Sequence, residues 1–428
     1  MTWPRMLCVE QVFDQPHVAD PAKAAGDALA GVVEAGATSI RGKRVALTVG
    51  SRGIANLASI VRGLVEQVRR CGGEPFIIPA MGSHGGGTAA GQTEVLASLG
   101  VTKASVGAPI RSSMETVQVA LTEDAFPVVI DRYASEADYI LVVNRIKPHT
   151  EFGGPFQSGL LKMLLIGLGK HTGAINYHRA ATRMPFERLI RTAGKVVLER
   201  VPVLGGIALL ENAHEQTAEV VGVRPSDFFR VEEELLRRAA SYMPGVPYED
   251  IDLLIVDEMG KNISGAGVDT NVIRRKHWAD TALGEQADPG APKRIFVRDL
   301  TEATHGNAAG IGMADFALKR LVDKIDRHKT YMNTITATRP RGAMLPLVFD
   351  TDEEAIRQAL ASAGVGDLGE ARIVRIRDTL HLVRMEVSES LVEHVHKDAC
   401  VRMVGTGNGL VFDGRGMLSP DKLPVEGV

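Results

Sequence analysis

ADYILVVNRIKPHTEFGGPFQSGLLKMLLIGLGKHTGAINYH, residues 137–178, decides how the chain is read. Its opening, Ala137–Asn144, is an apolar run of strand length that stops at polar residues. Such a run suits a strand buried on both faces. From Asn144 to His178 the segment holds three His and four Lys or Arg among many glycines. Polar chemistry and backbone freedom placed directly after a strand mark a ligand loop rather than a plain connector.

The same alternation extends outward. Arg44–Gly50 and Glu74–Ala80 are strand candidates, and Asn56–Gly72 and Thr88–Gly100 show helical spacing of apolar residues. VLGGIALLEN (Val203–Asn212) and TAEVVGV (Thr217–Val223) read as paired strands. Pro, Gly and acidic residues in Ser241–Asp250 suggest a boundary. Beyond it come strand candidates Ile251–Gly260 and Lys293–Leu300, then helix candidates Met313–Asp326 and Asp352–Gly364. Strand–helix alternation predicts two Rossmann-like α/β domains with mostly parallel sheets and an active-site cleft between them. The expected division is 1–248 for cofactor binding and 249–395 for a second α/β domain. A C-terminal tail, 396–428, is expected to pack back on the first.

Composition narrows the class. A chain of 428 residues exceeds one small core, and 45% hydrophobic residues is ordinary for a globular protein. The net charge is −3 with Lys and Arg dispersed, so no nucleic-acid or anionic-membrane partner is expected. Apolar runs are too short for a bilayer span, and no secretory signal pattern opens the chain, so the expected location is cytoplasmic. The three Cys, Cys8, Cys71 and Cys400, are far apart, which argues against a cysteine-built metal centre.

In parallel sheets ligands sit where loops leave the carboxyl ends of strands. Five such loops stand out: GSRGIAN, MGSHGGG, NRIKPHTEFGG, EMGKNISGAGVDTN and LTEATHGNAAG. GSRGIAN lacks the dinucleotide spacing, and no P-loop occurs. Arg52 can grip a carboxylate with its planar fork or simply lie at the surface. His84, between glycines, can serve acid/base work or be an exposed turn residue. His149, after Pro148, is held in an extended turn with Lys147 and Glu151 nearby. Two His flanking one carbon would suit inversion there. Lys162, inside an apolar run, either snorkels from a helix or is a desolvated nucleophile. His178, sixteen residues on, can ligate a metal.

Arg52 in SRG, His84 in GSHGG, His149 in KPH, Lys162 in SGLLK and His178 in NYH resemble, in order and spacing, the nickel-pincer-nucleotide lactate racemase family. The resemblance is strong from Ala46 to His178 and looser in the second half. It implies a pyridinium-type pincer mononucleotide attached to Lys162, with Ser158 and Gly159 beside it and nickel bound by His178. It implies His84 and His149 as the acid/base pair and Arg52 on the substrate carboxylate or hydroxyl. The α-hydrogen of a 2-hydroxy acid would leave as hydride and return on the other face. Partners would be that acid and the cofactor biosynthesis enzymes, with a homodimer allowed for.

The chain departs from the family pattern in two places. FGGPFQSG lengthens the gap between His149 and Lys162. In GVDTNVIRRKH, Asn271 and Arg274, with Lys276 or His277, stand where the family has an amide and a basic residue, so a sugar acid fits as well as lactate. The role of His305 and Asn307 in ATHGNAAG is open. The alternatives are a non-catalytic sugar-acid- or metal-binding protein of the same fold, and a His-metal hydrolase or lyase. The latter has only His394 and His396 as a close pair.

Overall fold

The computed structural model describes residues 2–13, 15–51, 53–150, 153–181, 183–275, 290–337, 339–394, 399–405 and 409–424, with the side chain of His178 left out. The chain divides into two compact units, Gln15–Met243 and a second made of Met1–Asp14 with Pro244–Val428. The break lies between Met243 and Pro244. The first fourteen residues, however, belong with the C-terminal unit.

The reason is strand β1 (Met6–Gln11), whose backbone pairs in the C-terminal sheet. The N-terminal unit contains β2 (Arg44–Val49), β3 (Glu74–Pro79), a hairpin of β4 (Thr116–Leu121) and β5 (Pro127–Asp131), then β6 (Tyr139–Arg145), β7 (Val203–Glu211) and β8 (Thr217–Val223). Its main sheet has the order β3-β2-β6-β7-β8, parallel except for β8. Alternate residues of one strand enter different cores: Val45, Leu47 and Val49 join helix Leu57–Arg70, whereas Ala46, Ile140 and Val142 join helices Phe186–Arg200 and Phe228–Tyr242. Both faces are covered, which is why these strands read as continuous apolar runs.

The C-terminal unit adds β9 (Leu253–Met259), β10 (Arg294–Leu300), β11 (Phe316–Leu318), β12 (Leu347–Phe349), β13 (Ile373–Ile376), β14 (Arg384–Ser388) and β15 (Val401–Gly405). They form one sheet in the order β12-β11-β10-β9-β13-β14-β1-β15. The first five run parallel and the last three antiparallel. The expected helix over Met313–Asp326 is instead β11 followed by a short helix, Lys319–Asp323. Phe316 and Ala317 are buried in register beside β10, so sheet pairing overrides the local helical pattern.

The described part of the tail is bonded within the C-terminal unit. Its strand β15 pairs with β1, and the N–H groups of Leu418 and Leu423 donate to Asp352 and Asp257. Buried carboxylates need donors, and this segment supplies them. No helix among the described residues is long and apolar enough to cross a membrane.

Candidate functional site

Three loops leave the carboxyl ends of the neighbouring parallel strands β3, β2 and β6. They carry His84, Ser51 and His149. The first two loops meet: Ser51 Oγ lies 2.5 Å from His84 Nδ1. His84 is exposed and precedes a turn, Gly85–Gly87, in which all three glycines have positive φ.

The loop after β6 is closed by reciprocal hydrogen bonds. Ser158 Oγ accepts from the Lys147 N–H at 2.8 Å and donates to the Lys147 carbonyl at 2.6 Å. The His149 N–H donates to Gln157 Oε1 at 2.8 Å. Lys162 Nζ donates to the Gln157 carbonyl at 3.3 Å and lies 5.9 Å from the Phe186 ring centroid. One residue, Gln157, therefore ties the His149 backbone to the Lys162 amine.

Lys162 ends a short helical turn, Leu160–Lys162, which continues as a π-turn, Met163–Gly167. Such π-turns are rare and gather at functional sites. Gly159 starts the turn with φ +106°, and a Cβ there would stand 2.9 Å from Glu232 Cδ. Only glycine fits. Asn144 Nδ2 donates to the Gly159 carbonyl at 2.8 Å. Glu232 is buried, and its Oε2 accepts from the Leu161 N–H at 3.0 Å, while Oε1 finds no hydrogen-bond partner. Burial pushes this carboxyl up to about 8, against the Leu161 and Leu160 amides, which favour the charged form. At neutral pH Glu232 is thus largely protonated. Ser158 and Gly159 hold the turn that presents Lys162.

The π-turn packs against the β3 loop. The Gly82 N–H donates to the Gly167 carbonyl at 3.2 Å, and a Cβ on Gly167 would stand 2.8 Å from the Ala80 carbonyl oxygen. Helix Lys170–Ala181, which includes His178, begins at once. Lys170 is fully buried, with its Nζ donating to the Pro79 carbonyl and to Gln92 Oε1, the latter at 3.1 Å. Gln92 Nε2 in turn donates to the Gly82 carbonyl at 2.9 Å and to the His84 carbonyl at 3.4 Å. Asp131 Oδ2 stands 3.1 Å from Lys170 Nζ, an ion pair by distance without hydrogen-bond geometry. Burial pushes the Asp131 carboxyl up and the Lys170 amine down, each against the attraction of its partner.

Arg52 and Glu151 lie outside the described residues, as do Lys276, His277 and His396. In the C-terminal unit, Asn271 Nδ2 donates to Asp269 Oδ1 at 3.0 Å. Arg274 donates to the carbonyls of Val246 at 3.0 Å, Gly290 at 3.0 Å and Tyr248 at 3.4 Å. Its guanidinium holds backbone together rather than standing open to a ligand. His305 is an exposed turn residue with φ +50°, and Asn307 Oδ1 accepts from the Ala309 N–H at 3.1 Å. His394 ends the turn Glu389–His394.

Sequence reasoning passed over Ser51, Gln92, Gln157, Lys170 and Glu232. A lysine in GLGKH, amid glycine and leucine, was the one local sign of a buried cation. The other four acquire meaning only when strand order is known.

Among the described residues no three His, Cys, Asp or Glu side chains come together as a protein-only metal centre requires. The glycine-started turn presents a half-buried Lys162 amine, and the side chain of His178 lies outside what the structure describes.

No protein-family model and no curated protein matches the sequence. In fold, the chain is similar to the lactate racemase apoprotein from Thermoanaerobacterium thermosaccharolyticum, with a TM-score of 0.56 and 12% identity over 88% of this chain and 98% of that one. At that identity the likeness speaks for the two-unit α/β fold.

Proposed function

We propose that the protein is a racemase or epimerase acting on a 2-hydroxy acid. In this reading Lys162 is the attachment point of a pincer nucleotide, His178 is its nickel ligand, and His84 and His149 exchange protons with the substrate hydroxyl. The observation that carries it is the Gln157 bridge, which binds the His149 N–H and the Lys162 amine through one side chain and one carbonyl. The fold likeness to a lactate racemase apoprotein supports the reaction class.

When bound, the cofactor would supply an electrophilic centre able to take a hydride from C2 and give it back. The chain's own residues do the rest. Ser51 holds the His84 ring through Nδ1, which sets the direction in which the imidazole would exchange a proton with a hydroxyl. Gln157 fixes the backbone at His149, which limits where that imidazole can reach. Glu232, neutral and buried, holds the start of the Lys162 turn. Arg52 would bind the substrate carboxylate.

The test is chiral analysis of a single-enantiomer 2-hydroxy acid, with protein co-expressed alongside a cofactor-building pathway. His84→Ala and His149→Ala should each lower turnover by about 10²–10⁴-fold, the usual worth of a positioned acid or base. Lys162→Ala should have no turnover. Full activity of Lys162→Ala would overturn the reading.

A further inference from the structure

The segment from Lys162 to His178 and the His84 loop come from separate stretches of the N-terminal unit, and one buried amine joins them. Lys170 lies midway in sequence between Lys162 and His178. It opens helix Lys170–Ala181 with φ +53°. A residue with a Cβ rarely adopts that left-handed conformation, which glycine takes freely. Its side chain is also fully out of water. A strained backbone and a buried amine at one residue persist only where the surroundings hold both.

What holds them is a set of contacts to the loop. Lys170 Nζ donates to the carbonyl of Pro79, the last residue of β3, where the loop begins. It also donates to Gln92 Oε1 at 3.1 Å. Gln92 belongs to helix Ala89–Ser98, just past the His84 turn, and is fully buried. Carbonyl oxygens only accept, so the Gln92 amide turns its Nε2 to Gly82 and His84 and its Oε1 to Lys170. That orientation holds whether or not the amine is charged, because either form can donate. On the other side, the Gly82 N–H donates to the Gly167 carbonyl of the π-turn. A Cβ on Gly87 would stand 3.6 Å from His171 Nδ1, so the glycine turn also abuts the head of the helix. The loop is thus tied at Pro79, Gly82 and His84 to the segment that runs from Lys162 to His178.

We propose that Lys170 is a positioning residue: through Gln92 it keeps the His84 loop in register with the segment that carries Lys162 and His178. What that register serves rests on the racemase or epimerase reading above; the register itself does not. Two variants separate the parts. Lys170→Met alone would strand the buried Asp131, so it is combined with Asp131→Asn, whose Oδ1 can still accept from the Ala134 N–H. Gln92→Leu breaks the relay and leaves Lys170 beside Asp131.

Hydrogen–deuterium exchange on the full chain without cofactor reads the register directly. In both variants the amides of residues 80–87 should exchange about tenfold faster, the worth of one lost hydrogen bond, while helix Leu57–Arg70 stays as slow as in the unaltered protein. In protein that carries the Lys162 adduct, kcat should fall about ten- to hundredfold with KM unchanged, the effect of a misplaced acid or base. In the His84→Ala background neither variant should lower turnover further, because a residue that acts through His84 has nothing left to position. Unchanged exchange over residues 80–87 in both variants would overturn the proposal. So would a loss of turnover that adds in full to that of His84→Ala, as a merely structural role requires. Faster exchange in the variants, with neither adduct nor turnover in the unaltered protein, would sink the racemase reading and leave the role of Lys170 standing.

Discussion

Two buried charge clusters, one in each unit, look alike and are built for different ends. In the C-terminal unit, Arg298 is fully buried between Asp257, at 2.7 Å, and Asp352, at 2.6 Å. Arg375 joins it on Asp257 at 2.9 Å and also donates to the Pro420 carbonyl at 2.7 Å. Nearly every group there finds a partner, and the tail closes the cluster with its own amides and carbonyls. In the N-terminal unit, Lys170 and Asp131 are just as buried, yet Asp131 Oδ2 has no hydrogen-bond geometry. That cluster reaches through Gln92 to the backbone of the His84 loop. A satisfied network holds a fold. One with orphaned atoms costs stability, and such a cost calls for an explanation.

Breaking each cluster separates the two roles. The largest effect belongs to Arg298→Met, which takes the guanidinium from buried Asp352, leaves Asp257 to Arg375 and should cost about 3–5 kcal/mol, read as a fall in the denaturant midpoint. Cofactor attachment should survive in whatever fraction stays folded. Removing residues 418–428 comes next, because Asp352 and Asp257 lose the Leu418 and Leu423 amides. The expected loss is on the order of 1–3 kcal/mol for each carboxylate so exposed. Gln92→Leu should cost only about 1–2 kcal/mol in stability, yet lower turnover more than Arg298→Met does at equal folded fraction. If Gln92→Leu loses stability with normal turnover, the N-terminal cluster is structural like its counterpart.

The last effect is a pH slope. The Glu232 carboxyl moves from its ordinary value of 4.5 to about 8 in the folded chain. Between those values the folded state keeps a proton that the unfolded chain has released. The stability this group contributes is full below about pH 4.5 and is lost as the pH rises through about 8. Glu232→Gln cannot ionise, so its melting temperature should gain on that of the unaltered protein from pH 5 to pH 8. Parallel curves across that range would show Glu232 charged at neutrality.

The parallel core of each unit was legible in the sequence, because strands covered on both faces must be apolar throughout, as in Arg44–Val49 and Leu253–Met259. β1 and β15 were not legible in their place: they pair with each other and with β14 across almost the full chain, and no local pattern encodes such a partner. Phe316–Leu318 was hidden because a strand of three residues is too short to break a helical pattern. At the site, the glycine-rich loops and their histidines stood out by composition. The residues that orient them did not, since Ser51, Gln157 and Gln92 are ordinary polar residues until the strand order sets them beside His84, His149 and Lys162. Arg274 misled for a related reason: a guanidinium suits a ligand carboxylate and a cluster of carbonyls equally well.

The central claim is that the half-buried amine of Lys162 is an attachment point. Mass measurement of the intact chain, co-expressed with a cofactor-building pathway and followed by peptide mapping, tests it most directly. The account predicts one added mononucleotide mass carried by the peptide that contains Lys162 and absent from Lys162→Ala. An unmodified chain under those conditions, or an adduct that maps to another lysine, would contradict it.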